Sequence, residues 1–168
     1  SHRTFQVVEI DIETDPQHDL SKRALQNFLV LLIKLDKIAA VWMGTPCTSW
    51  SLARRNDGQG PPPLRSDEQL WGLSGLSLKD KERVRLGNNL ARFSFRIFRL
   101  CHQLCIPAAI ENPSTSRLWL IRPAQQIQSY PDVHLHVTDY CQDGTPWRKR
   151  TKVLTCHIDF SLVPRLCT

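Results

Sequence analysis

The chain has no apolar stretch long enough for a bilayer: its longest strongly apolar run, Phe28 to Ile33, falls far below the ~20 residues a spanning helix needs. A charged start followed by an apolar segment and a small-residue cleavage site is also missing, so a secretory route has no support and an intracellular, reducing setting is expected. Of the six cysteines, at 47, 101, 105, 141, 156 and 167, only Cys101 and Cys105 are closely spaced. They fall one turn apart on a predicted helix, where neighbours rarely form a bridge. Zinc would need four ligands in a compact set. Cys141, Cys156, His157 and Cys167 are candidates, but they form no recognised two-pair spacing, so no metal is expected. No internal repeat and no low-complexity tract is evident.

What the chain does contain suits one soluble domain. Its 168 residues can bury roughly 70% of the surface the unfolded chain exposes, so a substantial core needs no disulfides. A formal net charge of +6 and a sequence pI near 9.2 favour an anionic partner such as nucleic acid, although many basic domains bind nothing of the kind.

Two apolar runs organise the middle of the chain. Ile38 to Met43 leads into Pro46-Cys47, and Ile106 to Ile110 ends in Glu111-Asn112-Pro113. Each reads as a buried parallel strand. A nucleophile and an acid would then emerge together at the carboxyl ends of neighbouring strands, where open α/β sheets place their sites. Before them, Phe5 to Ile12 reads as an internal strand followed by the breakers Thr14-Asp15-Pro16. Apolar positions at helical spacing predict a helix over 22–35, capped by Asp19 or Ser21, that links this strand to the Ile38 run in a crossover unit.

A long breaker-rich loop at about 52–78 follows, with a short helix near Asp67 to Leu70. Its Arg54, Arg55, Arg65, Trp50 and Trp71 read either as contacts to a phosphate backbone or base, or as a surface excursion. From Lys79 to Cys105 two adjacent apolar stripes predict a helix crossing the sheet, with Arg85, Arg92, Arg96 and Arg99 on its solvated flank. A short helix to about Ser129 comes next. Strands at Val133 to Val137 and Lys152 to Thr155 then form an antiparallel hairpin at a sheet edge. Trp42, Trp119 and Trp147 read as packing residues.

Taken in order, Pro46-Cys47-Thr48-Ser49-Trp50-Ser51, Glu111-Asn112-Pro113 and the segment from Tyr140 to Thr151 resemble the central part of DNA cytosine-5 methyltransferases. The wording is nearest to compact, divergent members among mobile-element and viral sequences, and the resemblance covers roughly residues 5 to 155. It implies a Rossmann-like, S-adenosylmethionine-dependent α/β fold, mostly a parallel sheet, with a C-terminal antiparallel hairpin. It also implies a base-flipping enzyme acting on DNA. Cys47 would add to C6 of an extruded cytosine while Glu111 stabilises or protonates N3. The methyl group of S-adenosylmethionine would then pass to C5. Pro46 would stiffen the turn and Asn112 orient it, while Lys149, at a place where the family more often has arginine, would steady the flipped base. Asp11, or less well Glu9, matches the ribose-binding carboxylate, and Asp19 the acidic position beside the adenine. Ser51, Arg54, Arg55, Arg117, Arg148 and Arg150 are the candidate contacts to nucleic acid. For a eukaryotic chain the same likeness implies the nucleus.

The chain departs from the family in one large respect. An Asp-Leu-Phe-x-Gly-x-Gly turn, which cradles the methionine end of the cofactor, should precede residue 5, and no target-recognition domain follows the last strand. The expectation is a single, N-terminally incomplete methyltransferase-like domain, its cofactor pocket completed by a further N-terminal segment or a partner. Two rivals stand beside it: a non-catalytic nucleic-acid-binding domain that keeps the fold, and a thiol hydrolase or transferase that pairs Cys47 with a histidine base.

Overall fold

The runs that precede Pro46 and Glu111 lie side by side. In the computed structural model, which describes residues 6–54, 57, 60–161 and 165–167, strands β1 (Val41–Gly44) and β2 (Ala108–Pro113) pair in parallel, with Gly44 opposite Glu111. Helix α1 (Arg23–Lys34) precedes β1, and α2 (Leu78–Gln103) connects β1 to β2. After the short α3 (Arg122–Gln128), β3 (Val133–Asp139) and β4 (Arg150–Cys156) form the expected hairpin. β4 inserts between β2 and β3, giving the order β1-β2-β4-β3. The fold is mixed α/β.

Side-chain alternation divides the sheet into two unlike faces. On one, Ala108, Ile110, Leu154 and Cys156 join Phe95, Phe98, Leu118 and Ile127 in the main buried core. The helices supply its other wall because their apolar residues recur at helical spacing. The opposite face carries Trp42, Ala109, Thr155, His134 and His136. Phe160, from the segment after β4, lies over it with its ring centroid 6.1 Å from Trp42 and 5.3 Å from His136.

Several expectations need correction. The described part of the predicted first strand, residues 6–12, is not a strand: Val7 is 92% and Val8 68% exposed. Its β-branched residues favour extension, but a strand also needs a ladder partner, and none of the described residues pairs with them; the predicted crossover unit therefore lacks its first strand over the described residues. Among the described residues one pairing is parallel and two are antiparallel, so the sheet is not mostly parallel. Neither Asp19 nor Ser21 caps α1; Lys22 holds that position, and the Asp19 carboxylate accepts the Ser21 amide one turn earlier. Trp42 (56% exposed) and Trp147 (63%) face solvent, whereas Trp119 packs as expected.

Residues 52–77 contain no helix among those described, Asp67 to Leu70 included. The loop nevertheless packs closely on the body. Leu64 and Arg65 are buried, Leu73 donates its amide to the Leu64 carbonyl, and Asn88 of α2 donates to the Trp71 carbonyl at 2.9 Å. Gly72 adopts φ +129°, and a Cβ there would come within 2.7 Å of Val84, so only glycine lets the loop pass this close to α2.

Candidate functional site

Two loop ends converge at the carboxyl ends of β1 and β2. Cys47 lies three residues beyond Gly44, whose register partner is Glu111. Asn112, fully buried, donates its side-chain amide to the Thr45 carbonyl, which lies 67 residues away in sequence. The Arg117 amide donates to the Trp50 carbonyl at 3.0 Å. These two bonds hold the Pro46–Ser51 turn against the segment that follows β2. On the body side, Thr45 Oγ1 donates to Ser94 Oγ of α2 at 2.8 Å.

Cys47 is half-buried and free, Pro46 is exposed, and the Glu111 side chain keeps 13% of its surface accessible. Lys149 Nζ stands 3.4 Å from Glu111 Oε1 and 5.0 Å from the centre of the Tyr140 ring. Sequence order alone does not bring Lys149 to Glu111; the antiparallel pairing of β2 with β4 does, because it returns the end of the hairpin to the end of β2. The expected set Pro46, Cys47, Glu111, Asn112 and Lys149 is thus brought to one end of the sheet.

A cleft of about 560 Å³ runs beside the outer edge of β1, between α1, α2 and residues 8–12. Leu25, Phe28, Leu90 and Phe93 are among its apolar walls. Asp11, His18 and Asp19 bring polar groups to it, and Thr45 and Pro46 lie at its border with the cysteine turn. His18 Nδ1 is buried without a protein partner. Hydrogen bonds from Ser21 hold the Asp19 carboxyl below its ordinary range. Glu9 is exposed and does not line this cleft, which leaves Asp11 as the carboxylate at the end of the extended segment.

The nucleic-acid candidates among the described residues all have internal partners. Arg54 donates to the carbonyls of Thr48 and Pro62, at 3.0 and 2.9 Å. Arg117 pairs with Asp67 at 2.8 Å. Arg148 and Arg150 both pair with Asp139, whose side chain is inaccessible and also accepts the Cys167 amide. Ser51 accepts the Ala53 amide, and Arg55 lies outside the described residues. The loop pair Trp50 and Arg65 is buried, so neither offers a surface to base or phosphate as the loop reading allowed. Among the described residues no group of three or more histidine, cysteine, aspartate or glutamate side chains could hold a metal ion. No helix among the described residues is long and apolar enough to cross a membrane.

The sequence reading also missed residues that build the site. Asp139 orders the arginines of the hairpin, Ser94 anchors Thr45, and Gly87 admits the cysteine turn against α2. Of these only Gly87 had a local signal, as an isolated glycine inside a strongly helical pattern. Comparison with known protein families, with curated proteins and with solved structures finds no match for this chain.

Proposed function

We propose that this chain is a DNA cytosine-5 methyltransferase-like domain with Cys47 as its nucleophile. The observation that carries the reading is the Asn112–Thr45 hydrogen bond, which locks the Pro-Cys turn to the Glu-Asn strand end. These are the two motifs on which the resemblance rests. The parallel pair β1-β2, with the reversed β4 beside it, is compatible with part of a Rossmann-like sheet.

The chemistry follows from the side chains. Cys47, as thiolate, adds to C6 of an extruded cytosine, and the ring gains electron density at C5. Glu111, ion-paired with Lys149, accepts a hydrogen bond from the base's exocyclic amine and orients its N3 edge. The half-exposed Lys149 ammonium adds positive charge beside the activated ring. After C5 is substituted, a solvent water takes its proton, the C5–H electron pair forms the C5–C6 double bond, and Cys47 leaves as thiolate, which restores the aromatic base.

The reading requires S-adenosylmethionine, and the cleft residues fit its nucleoside half. Asp11 can accept from ribose hydroxyls and Asp19 from the adenine's amine, His18 Nδ1 is an unpaired polar atom on the same cleft, and Leu25 and Phe28 offer apolar contact to a purine. Bound there, the cofactor supplies an electrophilic methyl group. The free edge of β1 borders the same cleft, and a strand from a preceding segment or from a partner would close it. A duplex carrying 5-fluorocytosine, mixed with the methyl donor, traps the adduct of an active enzyme. A covalent complex with the wild type and none with Cys47→Ser is the expected result, and no complex with either overturns catalysis.

One observation favours a second reading, a nucleic-acid-binding domain without turnover. Among the residues lining the cleft the charged side chains are the carboxylates of Asp11 and Asp19, which do not complement the cofactor's own carboxylate. Titration calorimetry with S-adenosylmethionine separates the two, because the binding module gives no heat while remaining folded.

A further inference from the structure

Beneath the cysteine turn lies a buried cation with no carboxylate partner among the described residues. Arg65 is 1% exposed, and its guanidinium sits 3.4 Å above the centre of the Trp50 ring. Its Nε donates to the Ser49 carbonyl and its Nη2 to the Ser49 hydroxyl, both at 2.9 Å. Nη1 reaches the Leu70 carbonyl and Asn88 Oδ1, both at 2.7 Å, and Nη2 the Val84 carbonyl at 3.4 Å. One planar fork thus joins the cysteine turn, the long loop and α2. Burying a cation is costly unless neutral acceptors replace its water. Five acceptors do so here, and burial still pulls the guanidinium down to about 10. A protein that needed only to fill this space could do so with hydrocarbon at lower cost.

The turn itself is unusually constrained. Trp50 N meets the Cys47 carbonyl at 2.8 Å, Arg54 Nε meets that of Thr48 at 3.0 Å, Arg65 Nε that of Ser49 at 2.9 Å, and Arg117 N that of Trp50 at 3.0 Å. Every carbonyl from 47 to 50 is therefore oriented by a donor. Arg65 is the donor that is itself fixed from the opposite side by α2. A Cβ on Gly87 would fall 2.3 Å from Ser49 Oγ and 3.1 Å from Arg65 Nη2, so any side chain at position 87 would collide with the clamp.

We propose that Arg65 is a positioning residue for Cys47, acting through Ser49 and Trp50 to set the direction in which the thiol leaves the turn. The proposal rests on Cys47 being the reacting group, but its test needs neither DNA nor methyl donor. Iodoacetamide labelling mapped by mass spectrometry gives the rate at Cys47 relative to the exposed Cys105 of the same molecule. Buried Cys101 and Cys156 report unfolding. With Arg65→Lys, which keeps the charge, and Arg65→Met, which keeps much of the volume, the Cys47 to Cys105 ratio is expected to change on the order of tenfold, as small misplacements of reacting groups do. Cys101 and Cys156 stay protected in both. For Arg65→Ala, added methylguanidinium should restore the wild-type ratio by refilling the vacated socket.

An unchanged ratio in the Lys and Met variants overturns the proposal. So does a rise in labelling at Cys101 and Cys156 that matches the change at Cys47 in both, since Arg65 would then serve only general folding. A shifted ratio in a chain whose wild type forms no fluorocytosine adduct leaves the clamp standing and removes the methyl-transfer reading.

Discussion

The Asn112 side-chain amide is bonded to the Thr45 carbonyl inside a region closed to solvent, linking the end of β2 to the residue just beyond β1. Removing the donor leaves a buried acceptor without a partner, and such losses cost about 1–3 kcal/mol. Asn112→Ala should lower the urea midpoint accordingly at unchanged slope. Asn112→Asp should be worse, because a carboxylate oxygen would face the same carbonyl oxygen.

Glycine to alanine inside a helix ordinarily stabilises by about 0.5–1 kcal/mol. At Gly87 the sign should reverse. The added methyl group would lie 2.3 Å from Ser49 Oγ, and overpacking of this kind costs about 1–3 kcal/mol. A cycle with Ser49→Ala checks the cause: removing the hydroxyl should recover a measurable part of the loss, with a coupling above 0.5 kcal/mol in magnitude expected for touching residues, about the threshold for contacts.

Asp139 links stability to acid. The Arg150 hydrogen bond, with help from the Cys167 amide and Arg148, holds its carboxyl well below the ordinary value. A carboxyl depressed in the folded state contributes stability that is fully present above the unfolded value, about 3.9, and is lost as pH falls below it toward the folded value. Thermal melts of the wild type should therefore drop through that acid window. Asp139→Asn should be less stable near neutrality and should show a shallower decline below pH 4; an identical slope would count against this role.

Two thiols should be inert. Burial pushes Cys101 up to about 12 and Cys156 to about 11, and the reactive species is the thiolate. At pH 8 in the folded state neither should take up iodoacetamide while Cys105 is consumed. Adding denaturant should release both, as read by intact mass.

Much of the fold was legible because its signals are local. Helical spacing placed α1 within a residue at each end and α2 within two, since an apolar stripe must face a core whatever the core contains. The apolar runs before Pro46 and Glu111 were legible as strands because a parallel strand covered on both faces reads as a continuous apolar run; β2 is buried in that way, whereas β1, expected to be buried too, alternates half-buried and exposed residues because it is an edge strand with Trp42 on its open face. The same logic failed at residues 6–12, where extended propensity was present but a ladder partner was not. It failed again at Trp42 and Trp147, because size and hydrophobicity do not say which face of a strand or loop receives cover.

The candidate site divides along the same line. Cys47, Glu111 and Asn112 were visible as motifs, since each sits where a strand pattern stops. Lys149 came by resemblance, and its contact with Glu111 depends on β4 running antiparallel beside β2. Arg65 was placed among the loop residues available to a ligand. The structure puts it inside, where Ser49, Leu70, Val84 and Asn88 surround it from three separate stretches of chain.

By itself, the sequence determined the periodicities, the sites of α1, α2 and the four strands of the sheet, the basic charge and the order of the motifs, because these depend on neighbours a few residues apart. Only the tertiary structure decided which arginines are spent on internal acceptors, which carboxylate Lys149 meets, and what fixes the cysteine turn. These pairings are chosen by burial and by the need of buried polar groups for partners, and the ones that assemble the site, Lys149 with Glu111 and Asn112 with Thr45, join residues too far apart in sequence for a local window to hold both.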